Sequence, residues 1–233
     1  MRIIDCIQGS EEWESWRARP TASCFDRFIT PVKGEYSTQA TRYAVEIVRK
    51  RMNLTNIDTP MTTLWMEHGT ENEPNAAYAY EKQFGVQTTK VGFVLPDHTD
   101  AYGGSPDRLV NVTRTDDKGR AYAEGVVEFK CVKAEVLMEM QLDVTKAELY
   151  AKPQVQGLLL ITGCEWCDFY VWHQDLEPVC VRVRPDVEYQ TKIAQHLLTF
   201  LDEIKRVEET IKTFKHDIIV QSDGNTEVKW GDA

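Results

Sequence analysis

The chain has 233 residues, of which 42% are apolar and 27% charged, and a formal net charge of −10. That fits one large globular domain or two small ones, with enough chain for a sizeable core, and excludes whole-chain disorder, a collagen-like chain and a disulfide scaffold. No run approaches the ~18 apolar residues that a membrane span needs. The opening MRIIDCIQGSEE has no apolar signal core, so a cytoplasmic protein without a membrane partner is expected. The balance of 27 basic against 37 acidic residues argues against non-specific nucleic-acid binding, which sets Lys and Arg against phosphate. It leaves room for basic residues gathered in one channel and for carboxylates serving as metal ligands.

In chain order, the N-terminal third reads as helical. Gly9-Ser10 before Glu11 and Glu12 is a helix start, with a capping hydroxyl and acids at the positive dipole end. Trp13 and Trp16 share a face of that helix, with Arg17 alongside. Thr21-Ala22-Ser23 opens a second short helical stretch. A helix is expected over 38–52 with Tyr43, Ile47 and Met52 inward, and another over 62–84, broken near Gly69 and Pro74. The segment 86–95 is β-rich. Strands over 101–112 and 121–132 flank the turn-like Asp116-Asp117-Lys118-Gly119 and form a hairpin. Helical stretches follow at 134–142 and 146–162, where Pro153 implies a kink or a fresh start. Strands are expected at 168–172 and 179–184. A long amphipathic helix is expected over 186–214, because Ile193, Leu197, Leu201, Ile204, Val207 and Ile211 recur every three or four residues. The last residues are polar and are expected to fray. The six cysteines read as reduced thiols. Cys164-Glu-Trp-Cys167 lacks nearby further ligands for a zinc or iron–sulfur site and reads as a turn. The order gives an α/β (α+β) fold with a mixed central sheet flanked by helices.

The chemistry concentrates in Ser105-Pro106-Asp107 and Glu128-Phe129-Lys130. Strand alternation puts Glu128 and Lys130 on one face and Phe129 on the other. The midpoint of positions 107 and 128 falls inside Asp117-Lys118, so a symmetric hairpin sets Asp107 opposite Glu128. Like charges so placed repel; a divalent cation between them removes the conflict, and hard oxygen ligands suit Mg²⁺ or Mn²⁺. A solvated hairpin face is the competing reading. Val126, Val127, Phe129 and Cys131 weigh against it, since they mark a buried strand in which charges need partners.

An Asp followed by Glu-x-Lys on an apolar strand resembles the PD-(D/E)XK restriction-endonuclease-like core. More narrowly, the chain resembles the lambda exonuclease and YqaJ-like viral recombinase family. The resemblance is carried in order by QGSEEWESWRARPTAS (8–23), EHGTENEPNA (67–76), GGSPDRLV (103–110), GVVEFKC (125–131) and AKPQVQGLL (151–159). It implies a single nuclease domain in three parts: a helical N-terminal part (1–60) with a 5′-phosphate pocket, a catalytic core (61–185), and a C-terminal helix and tail (186–233). It implies that Asp107, Glu128 and the main-chain carbonyl of Phe129 hold metal, with Glu73 helping, and that Lys130 and Gln154 complete the catalytic set. Arg17, Ser23 and Ser105 match the residues that hold a terminal 5′ phosphate. Arg19 is an alternate to Arg17, because the gap to Ser23 is one residue shorter than in the lambda enzyme. Tyr150 stands one residue before the family's tyrosine position, which is Ala151 here.

The resemblance further implies Mg²⁺, with Mn²⁺ able to substitute and two ions per site. The activity implied is 5′→3′ exonuclease action on double-stranded DNA ends, leaving 3′ overhangs for a single-strand annealing protein, within a homotrimeric ring. Arg42 and Arg49, on one helix face, are candidates for the wall of such a ring, and Leu64, Trp65 or Met66 for a strand-splitting wedge. Two other functions compete: a structure-specific or nicking endonuclease with the same core, and a catalytically silent DNA-end-binding module. The intact Asp107, Glu128 and Lys130 count against the silent module.

Overall fold

The structure, a computed structural model, describes residues 1–54, 64–115, 120–214, 216–220 and 226–230. The N-terminal part holds strand β1 (Arg2–Ile4), helix α1 (Glu11–Trp16), a 3-10 helix (Ala22–Arg27) and helix α2 (Ala40–Arg51). Ser10 caps α1 as its sequence suggests, its side chain accepting from the Trp13 N–H. Next come helix α3 (Leu64–Phe84) and strands β2 (Thr88–Thr89) and β3 (Phe93–Leu95). The hairpin follows as β4 (Arg108–Val110), β5 (Thr113–Arg114), β6 (Ala121–Tyr122) and β7 (Gly125–Cys131). Helices α4 (Ala134–Leu142) and α5 (Thr145–Thr162), strands β8 (Trp166–His173) and β9 (Leu176–Val183), and helix α6 (Val187–Thr213) complete the body. The expected turn at 116–119 lies outside the described residues.

The central sheet has the order β2-β4-β7-β8-β9. Only β7 and β8 run parallel, and α4 and α5 form the crossover that a parallel pair requires. Alternation along β7 gives the strand two buried faces. Val127 and Phe129 join Ala76, Ala77 and Tyr80 of α3 and Tyr170 of β8 in one cluster, where Phe129 meets the Tyr170 ring edge-on at 5.8 Å. Val126 belongs to the larger core, with α5, the 3-10 helix, α2 and α6. Phe200 of α6 stacks on Phe28 and Tyr43 at 5.1 and 5.2 Å, each ring adding roughly 1.5–3 kcal/mol by its burial.

Glycine at 157 brings the 3-10 helix onto α5: a Cβ there would lie 2.6 Å from the Phe25 ring. That contact sets the Ser23 segment beside α5, where Gln154 sits.

Several expectations are corrected. Helix α3 runs unbroken through Gly69 and Pro74, and α5 through Pro153. A proline removes one hydrogen bond, but buried Ala76, Ala77 and Tyr80 hold α3 beyond Pro74, and Ala151 and Val155 hold α5 on either side of Pro153. The tail, expected to fray, forms an antiparallel hairpin of β10 (His216–Val220) and β11 (Thr226–Trp230). Strand β1, absent from the sequence reading, pairs with β3.

Candidate active site

The β4–β7 ladder pairs Arg108 with Val127, Leu109 with Val126 and Val110 with Gly125. Beyond it, Thr113 pairs with Tyr122 and Arg114 with Ala121 in the same register. One residue before β4, that register puts Asp107 opposite Glu128. Asp107 Oδ2 accepts the Phe129 N–H at 2.8 Å, which ties the loop carboxylate to the strand. Glu128 is 2% exposed. Its Oε1 accepts from Lys130 Nζ and from Gln154 Nε2, both at 2.6 Å. Its Oε2 is buried and has no hydrogen-bond partner.

Burial and the Glu128 charge push the Asp107 carboxyl well above the usual carboxylate range; Lys130 pulls it back, and Glu73 adds a smaller push. Burial works against the charge on Lys130, but Glu128 and Asp107 more than offset it, so the ammonium binds its proton more firmly than a free lysine does. An orphaned buried carboxylate oxygen beside a second carboxyl raised by burial and by its neighbour's charge is a donor set that fits a hard divalent cation. Among the described residues no three His, Cys, Asp or Glu side chains gather as a metal cluster.

Glu73 does not complete such a cluster. Its carboxylate is engaged by the Arg108 guanidinium and by Lys90 Nζ at 3.1 Å. The expected phosphate-binding residues do come together. A cleft of about 450 Å³ is lined by Arg17, Ser23 and Ser105 along with Asp107, Glu128, Lys130 and Gln154. The Arg17 guanidinium lies 4.3 Å from the centre of the Trp13 ring and is paired with no carboxylate among the described residues. Trp13 Nε1 donates to Ser105 Oγ at 2.7 Å. Arg19 is turned elsewhere, stacked 4.5 Å over Trp16 and donating to the carbonyls of Trp16 and Asp100. Tyr150, 65% exposed, lines an adjoining lobe of about 390 Å³ with Ser23, Asp26, Lys130 and Gln154; Ala151 is buried.

A family model, the YqaJ-like viral recombinase domain, matches residues 12–165, a span that holds every one of these side chains. The chain belongs to this family. Solved exonuclease structures share the fold. An alkaline exonuclease from Laribacter hongkongensis is 27% identical at a TM-score of 0.71, over 87% of this chain and 96% of that one. The same enzyme in complex with dAMP gives 26% identity and the same TM-score and coverage. A phage-related exonuclease from Haemophilus somnus 129PT, 14% identical at a TM-score of 0.61 over 83% of this chain and 96% of that one, shares the fold. No curated protein matches the chain. The fold is thus the PD-(D/E)XK exonuclease type that the motifs imply.

Within this YqaJ-like domain the sequence reading missed Arg108, Lys90 and the double role of Trp13. A buried arginine in the apolar strand Arg108–Val110 was the available signal for the first. The wall and wedge candidates fare differently. Arg42 is exposed and loosely paired with Glu46 at 3.9 Å, and Arg49 donates to the Leu54 carbonyl. The side chains of Leu64, Trp65 and Met66 lie outside what the structure describes. Cys164 and Cys167 are buried, and burial raises both thiols, as befits packing groups. No described helix is long and apolar enough to cross a membrane.

Proposed function

We propose that this protein is a metal-dependent DNA exonuclease that hydrolyses one strand of a duplex 5′→3′ from an end, leaving a 3′ single-stranded overhang for recombination. One observation carries the reading: the carboxylate pair, Lys130 and the Arg17, Ser23 and Ser105 donors line the same cleft. The Laribacter neighbour, an alkaline exonuclease solved with dAMP, supports a nucleotide product.

Asp107 and Glu128 would hold Mg²⁺ or Mn²⁺, joined by the Phe129 carbonyl. When bound, such an ion supplies Lewis-acid charge and lowers the pKa of an attacking water. Lys130 keeps its proton beside the two carboxylates and directs positive charge at the oxygens of the scissile phosphate. Gln154 fixes the Glu128 rotamer by its hydrogen bond. The Arg17 fork, with the Ser23 and Ser105 hydroxyls, takes the terminal 5′ phosphate and so sets how far the strand end reaches past Lys130; Tyr150 contacts DNA at the rim. One ion per site is the reading here, since a second would call on Glu73, which Arg108 and Lys90 hold. The working form is a homotrimeric ring in the host cytoplasm, passing its overhang to a single-strand annealing protein. With a net charge of −10, the ring's positive lining is local.

The test is digestion of linear duplex DNA with Mg²⁺, comparing 5′-phosphorylated with 5′-hydroxyl ends beside a closed circle. Faster loss of the phosphorylated strand with an intact circle is expected. Nicking of the circle would favour the endonuclease reading, and no cleavage with either Mg²⁺ or Mn²⁺ would refute the activity.

A further inference from the structure

Arg108 stands inside β4, one residue after Asp107, and is 9% exposed. A guanidinium so buried needs acceptors, and it has two. It pairs with the Glu73 carboxylate and donates to the main-chain carbonyl of Asp107 at 2.7 Å. Lys90 adds a second cation at the same Glu73 oxygen, 3.1 Å away. Glu73 is therefore neutralised twice by the protein's own cations. Among the described residues Asp107 and Glu128 share only Lys130 as a cation between them, and Glu128 keeps one oxygen without a donor. The Glu73 side chain is nearly as enclosed as that of Arg108, at 13% against 11% exposure, so their pairing is held in place rather than lost to solvent.

We propose that Arg108 is a positioning residue that withholds Glu73 from the divalent ion, keeping the metal site at two carboxylates. The inference rests on the proposed metal-dependent activity. Its physical sense lies in the ion's water shell. Mg²⁺ dehydrates reluctantly and retains several waters when few carboxylates bind it, and one of those waters is the nucleophile hydrolysis needs. A third carboxylate would displace water and bind the ion more tightly. A cation anchored on the Asp107 carbonyl detains that carboxylate.

Mn²⁺ binding to the full chain, titrated by electron paramagnetic resonance without DNA, tests this apart from activity. Wild type should bind Mn²⁺, and Asp107→Asn should lose it. Arg108→Gln should bind Mn²⁺ at least about tenfold more tightly, the scale on which residues behind metal ligands act. Glu73→Gln alone should leave the affinity within about twofold, and adding it to Arg108→Gln should cancel the gain. Arg108→Lys, which keeps the charge, should stay near wild type and shows that the site survives substitution. Unchanged or weaker binding in Arg108→Gln, with Arg108→Lys still binding, would overturn the proposal, as would weaker binding in Glu73→Gln alone. Absence of Mn²⁺ binding in wild type would instead overturn the metal-dependent reading beneath it.

Discussion

Lys130 and Gln154 meet at one atom: both donate to Glu128 Oε1 at 2.6 Å. One comes from two residues along β7 and the other from α5. Their convergence fixes the rotamer and leaves Oε2 as the open, buried position. An unmet buried acceptor costs about 1–3 kcal/mol, which the proposed cation would offset. Rigidity at Oε1 and vacancy at Oε2 are the two things a metal-binding carboxylate needs.

Lys130→Ala is expected to lower single-turnover cleavage by about 10²–10⁴-fold, the scale of a positioned proton-bearing group, while DNA-end binding holds within a few fold. The fold should persist, because the Lys130 side chain is 29% exposed at the cleft and its removal opens no core cavity. Gel-shift and quenched-flow assays on one preparation separate the two effects. A variant that cleaves near the wild-type rate would remove Lys130 from the catalytic set.

The raised Asp107 pKa makes a stability prediction. In the unfolded chain this carboxyl titrates at its ordinary value; in the folded chain, burial and Glu128 raise it. Between those two values the folded state holds a proton that the unfolded state has released, so stability falls as pH rises through the window. The contribution of Asp107 to the Tm of the metal-free protein should fall from about pH 4 upward until Asp107 ionises, and it is read as the difference from Asp107→Asn. Asp107→Asn should flatten that part of the curve and gain about 2–4 °C above the window for each ~1 kcal/mol of repulsion removed. Thermal melts across pH, without divalent ions, check this, and parallel curves for the two proteins would contradict it.

The Trp13 ring and its N–H serve different halves of the proposed phosphate pocket. The ring lies against Arg17 and the N–H reaches Ser105. Arg17→Ala should erase the preference for 5′-phosphorylated over 5′-hydroxyl ends, by about 10–150-fold if one charged hydrogen-bonded contact of ~1.5–3 kcal/mol is lost. Trp13→Phe keeps a ring for Arg17 but frees Ser105, so it should lose only part of that preference. Competition between the two kinds of end in one reaction gives the ratio directly. Equal loss on both ends would show that Arg17 binds DNA without reading the phosphate.

The opposition of Asp107 and Glu128 was legible in the sequence because a symmetric hairpin fixes its partners by position alone, and the observed register keeps that symmetry on both sides of Asn111. Helix α6 was legible too. Its apolar spacing marks one face, and Asp186 caps it by accepting from Tyr189 N–H. Contacts between distant elements were not. Nothing local to Glu73 says that Arg108, 35 residues on, will take its carboxylate. Nothing local to Arg17 or Arg19 says which of the two faces the cleft. Periodicity reports which face of an element is buried, and it is silent on which distant charge meets it. The break expected near Pro74 and the fresh start allowed at Pro153 misled for the same reason: a local rule was outweighed by packing on either side of them.

Among the described residues Asp168 is the most enclosed charge away from the cleft, fully buried on β8. Arg182 grips it with two hydrogen bonds of 2.8 and 2.7 Å, and the Tyr80 hydroxyl donates to it at 2.7 Å. The Arg182 guanidinium stacks in turn on Trp166 at 3.8 Å. This cluster joins α3, β8 and β9 on the sheet face opposite Glu128, so it holds in place the helix that carries Glu73. Removing one member of a buried pair strands the other, at about 3–5 kcal/mol. Because Arg182 is 47% exposed and solvent can reach part of the vacancy, Arg182→Ala should cost about 3 kcal/mol, at the low end of that range. Urea unfolding should show it as a lower midpoint at unchanged slope. Mn²⁺ affinity and end preference of the folded fraction should stay as in wild type, since neither carboxylate of the metal pair touches the cluster. A stable Arg182→Ala protein would mean that Tyr80 alone satisfies Asp168.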